Sequence, residues 1–213
     1  MNNRMENIKK IEMTLFGKYH NSSMDATFNY MNNYLEEKYF GDKGLEWNTS
    51  KAIEEFNEIN EAVEQLQQEI DTKSVLQESV HHVIEEIGDW LLATSSMIGY
   101  PEYDIRLYNM FIKEIRDIIT HINDSLLVSF GSDVITVDSV FESNKFKLEE
   151  YSSAYKTYEE LQSDNILTND PLVRIIRMLH TKKEIKSPNK KDKIIKEIRR
   201  MRFAIIENKK WGV

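Results

Sequence analysis

Four carboxylates within residues 51–92 have side-chain types and a spacing that could do chemistry. Glu55 and Glu58 stand at i, i+3, and Glu86 and Asp89 repeat that spacing further along the chain. Acids held close together repel one another and cannot all stay ionised unaided. A hard divalent cation removes the conflict, and Mg²⁺ in particular takes carboxylate oxygens together with waters and substrate phosphates. The other reading of the same letters is plain. Charged residues make up 30% of the chain, and solvated helix faces carry acid pairs without any ion. Spacing alone leaves both readings open.

For the pairs to act together, helices must place them. In the first segment Ala52, Phe56, Ile59, Val63, Leu66 and Ile70 recur at alternating steps of four and three, which makes one apolar stripe. At roughly 100° per residue, Lys51, Glu55, Glu58 and Ala62 form a second stripe about a quarter turn away. In the second segment Leu76, Val80, Val83, Ile84, Ile87, Leu91 and Ile98 form the core stripe, and His82, Glu86, Asp89 and Ala93 line its flank. Two such helices, packed antiparallel by their apolar stripes, would bring the four acids together over the small residues Ala62 and Ala93.

Glu54-Glu55-Phe56-Asn57-Glu58, followed after a gap of 27 residues by Glu86-Ile87-Gly88-Asp89, resembles the EExxE…ExxD signature of the all-α nucleoside triphosphate pyrophosphohydrolases. That superfamily includes MazG-like enzymes and the dimeric dUTPases and dCTPases. The flanking letters IEEFNEINEAV and IEEIGDWLL are similar to its two motif helices. The resemblance implies an all-α fold, a MazG-like four-helix bundle core with additional C-terminal helices. It also implies that Glu55, Glu58, Glu86 and Asp89 hold Mg²⁺, or Mn²⁺ in its place. Water would then attack the α-phosphate of a nucleoside triphosphate to leave a monophosphate and pyrophosphate. Relatives commonly dimerise or tetramerise, so a homodimer or homotetramer is expected. Dimeric dUTPases usually carry a Trp- and Lys-rich run between their acid pairs. This chain has EQLQQEIDTKSVLQES there, which leaves the nucleobase open.

Composition bounds the alternatives. The 213 residues suffice for one large or two small domains, and 40% are hydrophobic. With 7 Gly and 3 Pro the chain reads as long helices with few tight turns. It has no Cys, hence no disulfide, thiolate metal site or Cys nucleophile. No apolar run approaches the ~20 residues of a membrane span, and MNNRMENIKK has no apolar signal core, so the expected location is the cytoplasm. The net charge of −8 conceals an asymmetry: residues 182–210 hold 12 Lys and Arg against 4 acids, whereas the rest of the chain holds 16 against 32. An acidic body of this kind disfavours nucleic acid as a partner.

The remaining letters predict helices in order. Residues 1–16 have weak periodicity and read as a frayed or docking helix. Residues 24–39 predict a helix with Phe28, Met31 and Leu35 inward, broken at residues 41–44. Asn48, Thr49 or Ser50 is expected to cap the first acid helix, and Ser74 with Gln77 to form a capping box on the second. Pro101 suits the first turn of a helix reaching about Leu127, with Leu107, Phe111, Ile115, Ile118 and Ile122 inward. The four helices from Met24 to Leu127 would form the bundle, as a catalytic region of residues 1–130. Residues 131–213 would be a helical extension packed on it. Residues 128–137 read as an extended loop or small hairpin. Ser139 and Glu142 suggest a capping box opening a helix to about Leu161. Asp170-Pro171 opens one ending near Lys183, and Ser187-Pro188 opens the last.

Supporting roles rest on position. Cleaving a triphosphate requires cations at the phosphates. Lys51 shares the face of Glu55 and Glu58, where a phosphate contact and a simple i, i+4 salt bridge compete. Lys113 and Arg116 resemble the Lys and Arg that MazG-like proteins carry on the helix after the ExxD motif. His82 could orient a ligand or water or be an exposed neighbour. Glu54 and Glu85 point away from the proposed metal face and read as solvated acids. A base could stack on Trp47, expected in a loop before the first acid helix, or bond an amide such as Asn29, Asn32 or Asn33. Trp47 as a core anchor is the alternative. In the basic end Ile194, Ile195, Ile198, Met201 and Phe203 fit a buried stripe. Its charges read as a counter-charge to the acidic body, a phosphate-binding lid or a nucleic-acid face. The competing function is a non-catalytic interaction protein on the same scaffold, binding a partner through that end.

Overall fold

The structure is a computed structural model and describes residues 4–20, 25–35, 43–163 and 170–210. Every regular element among these is helical, so the fold is all-α. Helices α1 (Arg4–Phe16), α2 (Asp25–Leu35), α3 (Gly44–Asp71), α4 (Gln77–Met97), α5 (Ile105–Phe130) and α6 (Val137–Gln162) are followed by α7 (Pro171–Leu179) and a short α8 (Lys182–Ile185). A single 3₁₀ turn, Pro188–Lys190, then leads into α9 (Lys191–Lys210). No helix of the described residues is long and apolar enough to cross a membrane. The chain divides into two compact units. Residues Met1–Tyr30 and Phe40–Phe146 form one, and Met31–Tyr39 with Lys147–Val213 form the other. The division falls inside α2 and α6.

The first unit is built on the α3–α4 hairpin. Ala52, Phe56, Ile59 and Leu66 of α3 are buried, as are Val80, Val83, Ile84, Ile87 and Leu91 of α4, as the two stripes predict. Val63, Ile70 and Ile98 are half-buried, and Leu76 is exposed because it precedes the helix rather than lying in it. The hairpin is closed by a non-local cap. The Glu69 carboxylate of α3 accepts from the Leu76 amide at 2.9 Å and from the Ser79 hydroxyl at 2.6 Å, which satisfies free groups at the start of α4. The expected Ser74–Gln77 capping box is absent: the N-cap is Leu76, and Ser74 bonds the Thr72 hydroxyl at 2.7 Å.

Helices α1 and α5 pack on this hairpin. Helix α1, expected as a frayed or docking helix, thus packs against both α4 and α5. Its Met5, Ile8, Ile11 and Leu15 are buried. Arg4 donates to the Leu92 carbonyl at 2.8 Å and the Ser95 hydroxyl at 3.0 Å, and Asn7 to the Ser95 carbonyl at 3.0 Å. Its periodicity is weak because two of its inward positions are the polar Asn7 and Glu12. In α5 the buried face is Phe111, Ile112, Ile115, Ile119, Ile122 and Leu126, and Leu107 and Ile118 lie at its margin. Phe111 joins the core to α3 and α4, 4.6 Å from Phe56 and 6.0 Å from Trp90 between ring centroids.

Several helix ends differ from expectation. Helix α3 starts at Gly44, so Asn48, Thr49 and Ser50 lie inside it. Helix α5 starts at Ile105, capped by Asp104, whose carboxylate accepts from the amides of Arg106 and Leu107, rather than at Pro101. It stays helical through residues expected to be extended and stops at Phe130, where Gly131 adopts φ +74°. The buried Asn123 side chain holds the turn that follows. It accepts from Val134 and Ile135 amides at 3.0 and 2.9 Å and donates to the Ile135 carbonyl at 3.0 Å. Thr136, not Ser139, opens α6: the Thr136 hydroxyl accepts from the Ser139 amide while the Ser139 hydroxyl accepts from the Thr136 amide.

The second unit is held by α6, α7 and α9. Asp170 caps α7 over Pro171 as expected, but α7 stops at Leu179 because Thr181 and Glu184 form a capping box that starts α8. Arg177 donates to the carbonyls of Glu160, Leu161 and Ser163 at the end of α6. Ile185, Ile194, Ile195 and Ile198 are buried. Met201 is half-buried, and the Phe203 side chain lies outside the described residues. Part of the basic charge is spent inside this unit. Arg199 pairs with Glu150 at 2.6 Å and lies 3.9 Å over the Tyr151 ring. Arg202 meets Asp170 at 3.5 Å and bonds the Thr157 hydroxyl, and Lys190 pairs with Glu184 at 3.0 Å.

Candidate metal centre

The antiparallel register of α3 and α4 that brings Glu69 to Ser79 brings Glu55 to Glu86 and Asp89. One oxygen from each of Glu55, Glu86 and Asp89 lies within 4.8 Å of the other two. Glu55 is buried and the other two are half-buried. Ala62 of α3 is buried and Ala93 of α4 half-buried, so the small residues expected on these flanks are in place. Glu58 is not part of that three-oxygen cluster. It is half-buried one turn along α3, and its carboxyl contacts that of Glu55.

The electrostatics centre on Glu55. Its Oε1 takes the Lys51 ammonium at 2.5 Å, and its Oε2 is buried with no hydrogen-bond partner. Burial pushes the Glu55 carboxyl up to about 7, Lys51 pulls it back, and the Asp89 charge and the Glu58 carboxyl add to the rise. Lys51 also reaches Glu54 at 2.9 Å. Burial works against its ammonium, but the bonds to Glu55 and Glu54 outweigh it and carry the Lys51 pKa above the ordinary lysine value. His82 lies one turn before Glu86 on α4, its Nδ1 3.3 Å from Glu86 Oε1. Glu54 and Glu85 are exposed, as expected.

Gly88 sits between the two α4 acids for a packing reason that the motif alone does not disclose. A Cβ there would lie 2.5 Å from Oδ1 of Asn144, a buried residue of α6. A backbone without a side chain is what lets α6 close over this turn of α4. Trp90 fills the adjacent core, fully buried, with its indole N–H unpartnered.

The other candidate residues are dispersed. Trp47 lies within α3 rather than in a loop, 47% exposed and three turns before Glu58 on the same side of the helix. It is therefore not a core anchor. Lys113 is exposed on α5. Arg116, also exposed, donates to the Thr14 carbonyl at the end of α1. Asn29 is half-buried in the first unit, whereas Asn32 (buried) and Asn33 (exposed) belong to the second unit, which does not contain the acids. An all-oxygen donor set, one of whose oxygens is buried without a hydrogen bond, is one that a hard divalent cation accepts. No protein-family model, curated protein or solved structure matches the chain.

Proposed function

We propose that this chain is a Mg²⁺-dependent nucleoside triphosphate pyrophosphohydrolase, able to use Mn²⁺ instead, that releases a nucleoside monophosphate and pyrophosphate. The observation that carries the reading is the convergence of Glu55, Glu86 and Asp89 from two helices onto one point. These are positions that the EExxE…ExxD resemblance marks. They would hold the cation, with Glu58 keeping the Glu55 carboxyl oriented beside it. Bound there, the cation would neutralise phosphate oxygens and acidify a water. Glu55, with its carboxyl near 7, gives up its proton as it becomes a ligand, so metal uptake around neutrality is coupled to proton release. Lys51, paired with Glu55, would meet a phosphate, whereas Arg116 donates to the Thr14 carbonyl. The exposed Trp47 indole offers a stacking surface for a base.

The reading of the chain as an interaction module loses support where the basic end folds back on its own unit. Arg199 and Arg202 are spent on Glu150 and Asp170, which favours the counter-charge role. We also infer a two-fold homodimer, and light scattering that finds only monomer at micromolar concentration contradicts it. The test of the activity is a panel of standard and modified ribo- and deoxyribonucleoside triphosphates with Mg²⁺, scored for monophosphate and pyrophosphate. In water enriched in heavy oxygen the label should enter the monophosphate. Release of a diphosphate and orthophosphate, or label in pyrophosphate, contradicts attack at the α-phosphate.

A further inference from the structure

Away from the carboxylate centre, the interior of the first unit holds a second charged cluster. The side chains of His20, just beyond α1, and of Glu12 within α1 are buried. His20 Nδ1 lies 2.9 and 2.7 Å from the two Glu12 oxygens, and its Nε2 lies 2.7 Å from Oδ1 of Asp25 in the first turn of α2. The His20 amide also donates to Glu12 at 3.2 Å. The imidazole stacks on Phe141 of α6, with ring centroids 3.7 Å apart and planes 7° from parallel. Asp25 takes the Lys9 ammonium as well, and that ammonium lies 5.5 Å over the Tyr19 ring.

Ionised carboxylates only accept hydrogen bonds, and a neutral imidazole has one N–H to give. With carboxylates at both ring nitrogens, a neutral ring would set a lone pair against a buried carboxylate oxygen. Both contacts are satisfied together when the ring carries two protons. The charges then balance, Glu12 and Asp25 against His20 and Lys9. Burial opposes the charged ring, and the bonds to Glu12 and Asp25 outweigh it, so His20 titrates above its ordinary 6.5.

We propose that Glu12, His20 and Asp25 form a proton-held latch, in which the doubly protonated ring fastens the end of α1 to the start of α2 and to Phe141. Loss of one ring proton to water opens it. Opening has a defined consequence, because Asp25 is shared with Lys9. Lys9 and Tyr19 line an open pocket of about 570 Å³ together with Glu6, Lys10, Met13 and Thr14. Losing the His20 bond to Oδ1 leaves Asp25 held by Lys9 alone, through Oδ2, so that wall loses one of its two anchors. The latch therefore makes the pocket respond to pH, independently of the metal centre.

The experiment is a titration of the histidine rings in the full chain by nuclear magnetic resonance, with His20 assigned through its own backbone resonances among the 5 histidines. The expected result is a His20 ring protonated at both nitrogens at neutral pH, with a midpoint above the ordinary 6.5. Amide exchange at residues 17–20 should accelerate through that midpoint beyond the intrinsic rise with pH. Glu12→Gln removes one charged acceptor and should lower the midpoint. A ring that is neutral at neutral pH, a midpoint at or below 6.5, or exchange that passes through the midpoint without acceleration overturns the latch. The first two measurements need only the unaltered protein, so failure of Glu12→Gln to fold does not protect the proposal.

Discussion

Replacing Glu55 by Gln should stabilise the metal-free protein, and by an amount that depends on pH. The unfolded carboxyl titrates at its ordinary 4.5 and the folded one at about 7. Below the lower value both states are protonated and burial costs nothing extra. As pH rises between the two, the unfolded chain releases its proton and the folded chain holds it, so stability falls across that window. Above the upper value the whole cost is present. At about 1.4 kcal/mol per pH unit the difference amounts to about 3 kcal/mol. Gln keeps the shape and an oxygen for Lys51 but cannot ionise. The assay is urea unfolding with chelator present, followed by Trp90 fluorescence in a background with Trp47 and Trp211 changed to Phe. Glu55→Gln should match its parent near pH 4.5 and exceed it by about 3 kcal/mol near pH 8. Millimolar Mg²⁺ should then raise the parent and leave the variant unmoved. A variant less stable than its parent at the higher pH, or a difference constant across the window, would refute the account of Glu55.

Asn123→Ala should cost about 1–3 kcal/mol in the same assay, because it strands the buried amide of Ile135 and the half-buried amide of Val134, together with the Ile135 carbonyl. Gly88→Ala should destabilise the first unit, since its Cβ meets Asn144 at 2.5 Å. In an Asn144→Ala background the same change should become stabilising, by up to about 1 kcal/mol of helix propensity. Charge reversal at Arg199 should lower the stability of the second unit through loss of the Glu150 pair and leave the Michaelis constant for triphosphate unchanged. A raised Michaelis constant at full stability would restore the phosphate-lid reading.

What could be read from the letters is what periodicity controls. The stripes of α3 and α4 place Ala52, Ile59, Leu66, Val83 and Ile87 in the core, and Glu55, Glu86 and Asp89 follow from them as flanks of one hairpin. What could not be read depends on partners far away in sequence. The start of α4 is capped by Glu69 from the preceding helix, and the end of the turn after α5 is held by Asn123. Helix α1 hides its place in the bundle because Glu12 is buried against His20 rather than among apolar neighbours. Arg116 shares the α5 surface with Lys113 in sequence, and only the fold shows its guanidinium tied to α1. The Gly88–Asn144 approach likewise joins residues whose separation no local pattern records.

The central claim is that Glu55, Glu86 and Asp89 form a divalent-cation site, and Mn²⁺ binding followed by electron paramagnetic resonance tests it most directly. The account predicts a tight class of Mn²⁺ in the unaltered chain that Mg²⁺ displaces. That class should be lost in Glu86→Gln and in Asp89→Asn, both still folded by circular dichroism. Mn²⁺ bound no more tightly by the unaltered chain than by a folded variant lacking all three carboxylates would contradict it.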